Sequence, residues 1–157
     1  FRPSIDGYEL HEEMMDATRA GHYLDIDYMI GYTKDDVPAA NFPVTIDAWA
    51  DNQVNKLDRR PVYVYSFDHP QPSLPGTNDK PDAFGARGVV HSAELPYMFG
   101  QVKLSARPMK KEDYELADRM STYWTNFAKY GNPNGSKDGE WKAYSKSNPT
   151  VFHLDVK

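Results

Sequence analysis

Two adjacent acids and a histidine follow apolar, strand-like runs, and together they could transfer protons. The Gly31–Asp36 loop follows the run Ile26 to Ile30, and His91 follows a pair of valines. Catalytic groups of α/β folds lie on loops just beyond the carboxyl ends of strands. An imidazole titrates near neutrality, so it can take up and return a proton, while a buried carboxylate stabilises the imidazolium. His91 and the Asp35-Asp36 pair are therefore candidates for acid–base chemistry at one edge of a sheet.

The order of these residues along the chain, acid before histidine, has a precedent. In α/β-hydrolases the catalytic triad runs serine, acid, histidine. No serine of this chain lies in a Gly-x-Ser-x-Gly pattern, and the first residue is Phe1. Either a targeting segment was removed or the sequence starts within a longer protein. The second interpretation is favoured, because the strand-like stretch Phe1 to Ile5 and the turn pair Asp6-Gly7 are typical of the middle of a domain.

Three segments are predicted to be strands. Pro61 to Phe67 carries the strongest signal, because it is β-branched or aromatic nearly throughout, as in a strand covered on both faces. Ile26 to Gly31 is predicted to be a buried strand, and Val151 to Leu154 an edge strand. Two or three strands are too few for a stable parallel sheet. Further strands or a partner must therefore complete it.

Helices are predicted before and between these strands by apolar residues spaced three and four apart. The predicted helices run over Leu10–Ala20, with Gly21 as its stop, over Thr45–Lys56, and over Lys110–Tyr130, with Gly131 as its stop. The proline-rich segment from His69 to Gly85 is predicted to be a loop. Strands alternating with helices favour an α/β architecture with a mostly parallel sheet.

Composition excludes several classes of protein. The 157 residues are within the usual size of a single domain, although the incomplete sheet makes positions 1–157 a portion of one, and the net charge of −5 without a basic block argues against nucleic acid as a partner. No apolar run is close to about 18 residues long, the length that a helix needs to span a membrane. Cysteine is absent, which leaves the compartment open, with a secreted or periplasmic location slightly favoured. We expect no cofactor and no metal site, and we expect the other histidines to lie on the surface: His11, His22, His69 and His153.

The residues around His91 resemble the histidine motif of the type-B carboxylesterases, a family that includes cholinesterases and para-nitrobenzyl esterases. His91 to Gly100 is similar to that motif almost residue for residue, and Ile30 to Asp36 is similar to the family's acid loop. The resemblance covers nearly the whole chain. Its other segments are Phe1 to Gly7, Pro61 to Phe67, Tyr123 to Gly135, and Trp141 with Tyr144. It implies the C-terminal part of an α/β-hydrolase fold.

The resemblance also implies roles for individual residues. His91 aligns with the family's general base and Asp36 with its triad acid, which is more often Glu. Asp35 remains a rival for that role. Tyr97, Met98 and Phe99 follow the base closely and could touch an acyl or alcohol group. The family's long insertion after the acid loop is reduced here to Val37–Arg60. Either the protein is a naturally compact member with an open site, which would accept bulky alcohol or aryl groups, or the segment was shortened by engineering or is incomplete in this sequence.

Several of these residues also have a purely structural interpretation. A histidine after a strand often has only a structural role, with its ring nitrogens hydrogen-bonded. Adjacent Asp residues in a loop often cap a helix or stabilise a turn. We interpret Glu94 as a buried structural carboxylate rather than a second acid, and Ser92 as structural. Tyr63 and Tyr65 are interpreted as core residues of a buried strand.

Three functions follow, of which a serine esterase leads. The N-terminal part of the same protein would then supply the nucleophilic serine and the oxyanion hole, the substrate would be a small-molecule carboxylic ester, and this chain alone would be inactive. The alternative is a catalytically inactive cholinesterase-like binding or adhesion protein. A third possibility, an independent interaction module, conflicts with the exposed edge of an incomplete sheet.

Overall fold

The computed structural model describes residues 4–36, 41–56, 59–76, 88–136 and 139–156, and they include a parallel three-stranded sheet. Its strands, in spatial order, are β1 (Tyr28–Thr33), β2 (Val62–Phe67) and β3 (Phe152–Leu154). β1 pairs with β2 along its full length, from Tyr28 opposite Val62 to Thr33 opposite Phe67. The predicted parallel sheet is confirmed.

Four α-helices accompany the sheet in the described residues. They are α1 (Met14–Ala20), α2 (Phe42–Val54), α3 (Leu95–Met98) and α4 (Lys111–Tyr130), and a 3₁₀ turn over Val102–Leu104 separates the last two. α4 ends at Gly131, whose φ of 66° is left-handed, as the sequence predicts. No helix in the described part of the chain is both long and apolar enough to cross a membrane.

The helix predicted from Leu10 begins only at Met14. The Asp6 carboxylate accepts hydrogen bonds from the backbone N–H groups of Tyr8, Glu9 and Leu10. The Leu10 carbonyl also accepts the N–H groups of Asp6 and Gly7 at 3.1 Å, so Leu10 closes a turn with the preceding residues. The predicted Asp6-Gly7 turn is confirmed. The strand expected over Phe1–Ile5 lies partly outside the described residues, and Ser4 and Ile5 form none.

β2 is buried on both faces, which explains its continuous apolar sequence. Side chains alternate across a strand. Val62 and Val64 pack toward a cluster with Ile46 and Ala50 of α2, and Phe67 packs toward a cluster with Tyr97 of α3 and Met120 of α4. Helices therefore cover β2 from two sides.

β1 differs from its prediction in position and burial. Ile26, the expected first residue, lies before the strand and is exposed. Pairing starts two residues later, opposite the first residue of β2. β1 is partly buried because it has one neighbouring strand among the described residues. The shift leaves its last residue, Thr33, fully buried beside the loop that carries Asp35 and Asp36.

Candidate active site

The acid loop is tied to the end of β1. The buried Thr33 hydroxyl donates to Asp36 Oδ2 at 3.0 Å, and the Asp36 N–H donates to the Thr33 carbonyl at 3.2 Å. These two bonds form a tight turn, so the Asp36 carboxylate lies just beyond the carboxyl end of the strand. Its side chain is 11% exposed.

His91 reaches this carboxylate from the second loop. Its Nδ1 lies 2.9 Å from Oδ1 and 3.3 Å from Oδ2 of Asp36. The imidazole is 52% exposed, so its body faces outward while Nδ1 faces the acid. An imidazole that donates its Nδ1 proton to a carboxylate carries its basic lone pair on Nε2. Such a pair can take up a proton at Nε2 while the carboxylate stabilises the imidazolium.

Asp35 makes different contacts from its neighbour. Its N–H donates to the Val89 carbonyl at 3.1 Å, and its carboxylate Oδ2 accepts the Val89 N–H at 2.9 Å. One residue thus binds both backbone polar groups of Val89, two positions before His91. Of the two acids that the sequence left in competition, Asp36 lies against the imidazole and Asp35 lies against the backbone of the histidine loop.

The backbone after His91 turns sharply. Ser92 has a φ of 65°, the left-handed region that residues other than glycine, asparagine and aspartate rarely adopt. Its carbonyl accepts the Leu95 N–H at 3.3 Å and leads into α3.

Glu94 is partly buried beside the pair. Its Oε2 is shielded from solvent and has no hydrogen-bond partner among the described residues. Burial raises the pKa of this carboxyl, although the nearby His91 partly opposes the effect. A hydrogen bond from the Glu94 backbone also opposes the effect of burial on this pKa, which agrees with the interpretation of Glu94 as a buried structural carboxylate, although Oε2 itself has no partner in the described structure.

The three residues proposed to touch substrate have different environments. Tyr97 is 0% exposed, and its hydroxyl donates to Asp113 Oδ1 at 2.6 Å. Met98 is partly buried and packs against the core around Phe67. Phe99 is 64% exposed. Tyr97 therefore connects α3 to α4, and Phe99 is the residue of the three with a large exposed surface.

His69 corrects an expectation, because it is buried rather than on the surface. It is 8% exposed, and its ring packs beside Phe67 and Tyr97. Nε2 lies 2.8 Å from Asp113 Oδ1, and Nδ1 lies 3.3 Å from Asp155 Oδ1. Its partners are distant in sequence, so only its place two residues after β2 could have indicated a buried role. His11, His22 and His153 are exposed, as expected.

The described side chains form no group of three or more histidines and carboxylates that could hold a metal ion. The loop predicted from His69 to Gly85 contains no helix or strand up to Gly76, and its remainder lies outside the described residues. So do parts of the shortened Val37–Arg60 segment, at positions 37–40 and 57–58.

A family model and individual known proteins agree on the family that this chain resembles. The family model described as "Carboxylesterase family" matches residues 40–157. Carboxylesterase 4A of Bos taurus is 41% identical over 86 residues, which cover 55% of this chain and 14% of that protein. Acetylcholinesterase of Gallus gallus is 33% identical over 97 residues, 61% of this chain and 12% of that protein. This chain spans less than a fifth of the length of either relative.

Solved structures extend the likeness to nearly all of the chain. A PNB esterase structure superposes with a TM-score of 0.72 at 21% identity, covering 99% of this chain and 40% of that one. A thermophilic PNB esterase gives a TM-score of 0.67 at 23% identity, with the same two coverages. Identities this low establish the fold alone. The described sheet and helices are part of an α/β-hydrolase fold.

Proposed function

This chain belongs to the carboxylesterase family, and we propose that it supplies the general base and the acid of a serine esterase. His91 is the base in this proposal, and Asp36 is the acid. The supporting observation is the 2.9 Å contact between His91 Nδ1 and Asp36 Oδ1 beyond the carboxyl end of a parallel strand. In α/β folds this edge of the sheet carries the reacting groups.

The proposed reaction uses Nε2 of His91. A serine hydroxyl, supplied by sequence outside this chain, attacks the ester carbonyl while Nε2 takes its proton. When the C–O bond to the alcohol breaks, the imidazolium returns that proton to the leaving alkoxide, and water then hydrolyses the acyl-serine by the same proton transfers. Asp36 holds Nδ1–H and stabilises the imidazolium in both steps.

Ser92 makes a poor nucleophile in this scheme. It is adjacent to His91 in sequence, and its left-handed backbone leads into α3. A residue next to the base cannot readily bring its hydroxyl into line with Nε2 and a carbonyl carbon. This supports a serine elsewhere in the protein, in the Gly-x-Ser-x-Gly elbow of α/β-hydrolases.

Contact with the substrate is proposed for Phe99 and Met98. Phe99 is the exposed member of the segment after the base, and Met98 is partly buried beside it. Apolar and aromatic side chains suit the acyl or aryl part of a small-molecule ester. The buried Tyr97 would act only through α3, by holding that helix against α4.

The decisive experiment uses the full-length protein that contains this chain and p-nitrophenyl esters as substrates. His91→Ala should abolish turnover, because no other group can take the serine proton at that position. His153→Ala is the matched control, since His153 is also an exposed histidine whose Nδ1 lies beside a carboxylate, 2.6 Å from Asp68. Equal ester turnover in the His91→Ala protein and the wild type would remove the proposal.

The chain by itself provides a second test. Two members of a triad without a nucleophile offer no covalent route, so this polypeptide alone should not turn over esters. Activity should appear when it is combined with the part of the protein that carries the Gly-x-Ser-x-Gly serine. Turnover by the isolated chain would mean that the nucleophile lies within it.

A further inference from the structure

We propose that Asp35 is a positioning residue that holds the loop of His91 at the distance at which Asp36 can bind the imidazole. The proposal rests on the proposed esterase function of the Asp36–His91 pair. Asp35 touches no reacting atom in it. Its role is to fix the separation of two loops that approach each other from distant parts of the chain.

The first support is the pair of hydrogen bonds between Asp35 and Val89. The Asp35 N–H donates to the Val89 carbonyl at 3.1 Å, and the Val89 N–H donates to Asp35 Oδ2 at 2.9 Å. A backbone group and a side chain of one residue therefore bind both backbone polar groups of another. Two bonds in opposite directions fix both the distance and the orientation of the loops.

The second support is the anchoring of Val89 itself. Its side chain is buried in the core cluster that includes Phe67 of β2, Tyr97 of α3 and Leu116 of α4. The histidine loop is therefore bound on its inner side by apolar packing and at its backbone by Asp35. His91 lies two residues farther along, so its position depends directly on this attachment.

The third support is the glycine that precedes Val89. Gly88 has a φ of 84°, and a Cβ at this position would overlap Oδ2 of Asp35. Both the backbone conformation and the space therefore require glycine. The oxygen concerned is the one that accepts the Val89 N–H, so the histidine loop has a glycine at the point where its backbone packs against the Asp35 carboxylate.

These contacts divide two tasks between adjacent residues. Asp36 faces the imidazole and orients its Nδ1–H, and Asp35 faces the backbone that carries the imidazole. A displacement of about 1 Å in a catalytic group can lower a rate by about 100-fold. Loss of the Asp35 contact should therefore reduce turnover although Asp36 and His91 are unchanged.

The test compares three substitutions at position 35 in the full-length protein. Asp35→Ala removes the acceptor for the Val89 N–H, and kcat for a p-nitrophenyl ester should fall about 10- to 100-fold with KM unchanged. Asp35→Asn keeps a carbonyl oxygen at the same place and should remain close to wild type. Asp35→Glu keeps the charge but lengthens the side chain, and it should also lower kcat because it pushes Val89 away.

A spectroscopic measurement accompanies the kinetics. The Nδ1–H proton of His91, bound to Asp36, should give a low-field NMR resonance in the wild type and in Asp35→Asn. The same resonance should weaken or disappear in Asp35→Ala. A substitution that merely destabilised the fold would lower the fraction of folded protein but leave the His91 resonance of the folded molecules unchanged. Thermal unfolding followed by circular dichroism measures that fraction for each variant. If Asp35→Ala does not fold, the kcat and the His91 resonance of Asp35→Glu are compared with those of the wild type instead.

Each outcome decides between the two proposals. Full kcat and an unchanged His91 resonance in Asp35→Ala and Asp35→Glu would overturn the positioning role while leaving the esterase proposal intact. Equal losses in Asp35→Asn and Asp35→Ala would also overturn it, because a charge rather than an acceptor would then be required. Full activity of His91→Ala would instead remove the esterase proposal.

Discussion

Nδ1 of His91 lies 2.9 Å from Oδ1 of Asp36, although 55 positions separate the two residues in the chain. The contact is possible because the acid loop leaves β1 at the buried Thr33 and the histidine loop is bound to it through Val89. The pair is thus held from two sides. Substitutions in the acid loop and in the histidine loop should therefore have distinct effects.

Asp36→Asn should lower kcat for ester hydrolysis by about 10⁴-fold, because an amide cannot hold the imidazole in the required tautomer or stabilise its cation. Asp36→Glu should retain much of the activity, since it keeps the carboxylate at the cost of a small loop adjustment. Steady-state kinetics on p-nitrophenyl esters measures both. Near wild-type kcat in Asp36→Asn would assign the acid to another residue.

Ser92 should accept glycine and reject a β-branched residue. Its φ of 65° strains any side chain, so Ser92→Gly should leave the free energy of unfolding within about 1 kcal/mol of wild type, the strain relieved offsetting the entropy of glycine. Ser92→Val should lose about 1–3 kcal/mol, because β-branched residues are least tolerant of this region. Urea unfolding compares them, and equal stabilities of the two variants would contradict the prediction.

Asp113 should stabilise the fold in a pH-dependent way. Burial alone would raise the pKa of this carboxyl, but bonds from the Tyr97 hydroxyl, the Lys110 N–H and His69 together hold the pKa below its usual value of 3.8. A lowered pKa means that the ionised carboxylate contributes stability at neutral pH and that this contribution is lost as pH falls below about 4.

Asp113→Asn should therefore reduce the free energy of unfolding by about 3 kcal/mol near neutrality, because it breaks a buried charged network. The difference from wild type should shrink as pH falls through the pKa of Asp113. Asp118→Asn is the control, an exposed acid of the same helix that should change stability by less than about 0.5 kcal/mol. A difference that stays constant with pH would contradict this account.

Glu94 should have the opposite pH dependence. Its pKa is raised mainly by burial, so its ionisation opposes folding as pH rises above the usual pKa of a glutamate. Glu94→Gln should therefore be more stable than wild type near neutrality and similar to it near about pH 4. Glu115→Gln, at an exposed position of α4, should show no such trend. Thermal unfolding across this pH range distinguishes the two.

Phe99→Ala should raise KM for bulky aryl esters and leave kcat on the smallest esters unchanged, since it removes apolar surface without altering Asp36 or His91. Tyr130→Ala is the matched control, because Tyr130 is a similarly exposed aromatic residue at the far end of the 20-residue helix α4. An equal change of KM in both variants would argue against a specific contact at Phe99.

The sequence by itself determined the parallel sheet, the candidate pair of loops and the long helix, predicted over Lys110–Tyr130 and observed over Lys111–Tyr130. Alternation and 3.6-residue periodicity report which face of a segment is apolar, and glycines such as Gly131 end helices through local backbone conformation. These are properties of neighbouring residues. The motif around His91 likewise depends on consecutive positions.

The tertiary structure alone decided which of two adjacent, identical side chains faces the imidazole. Asp35 and Asp36 have the same chemistry; Asp36 is bonded locally to Thr33, but the contact that gives each acid its role comes from a residue more than fifty positions away. The burial of His69 has the same origin, since Asp113 and Asp155 are 44 and 86 positions distant. Periodicity describes a segment's own faces, whereas the direction of a polar side chain depends on the partners that folding brings to it.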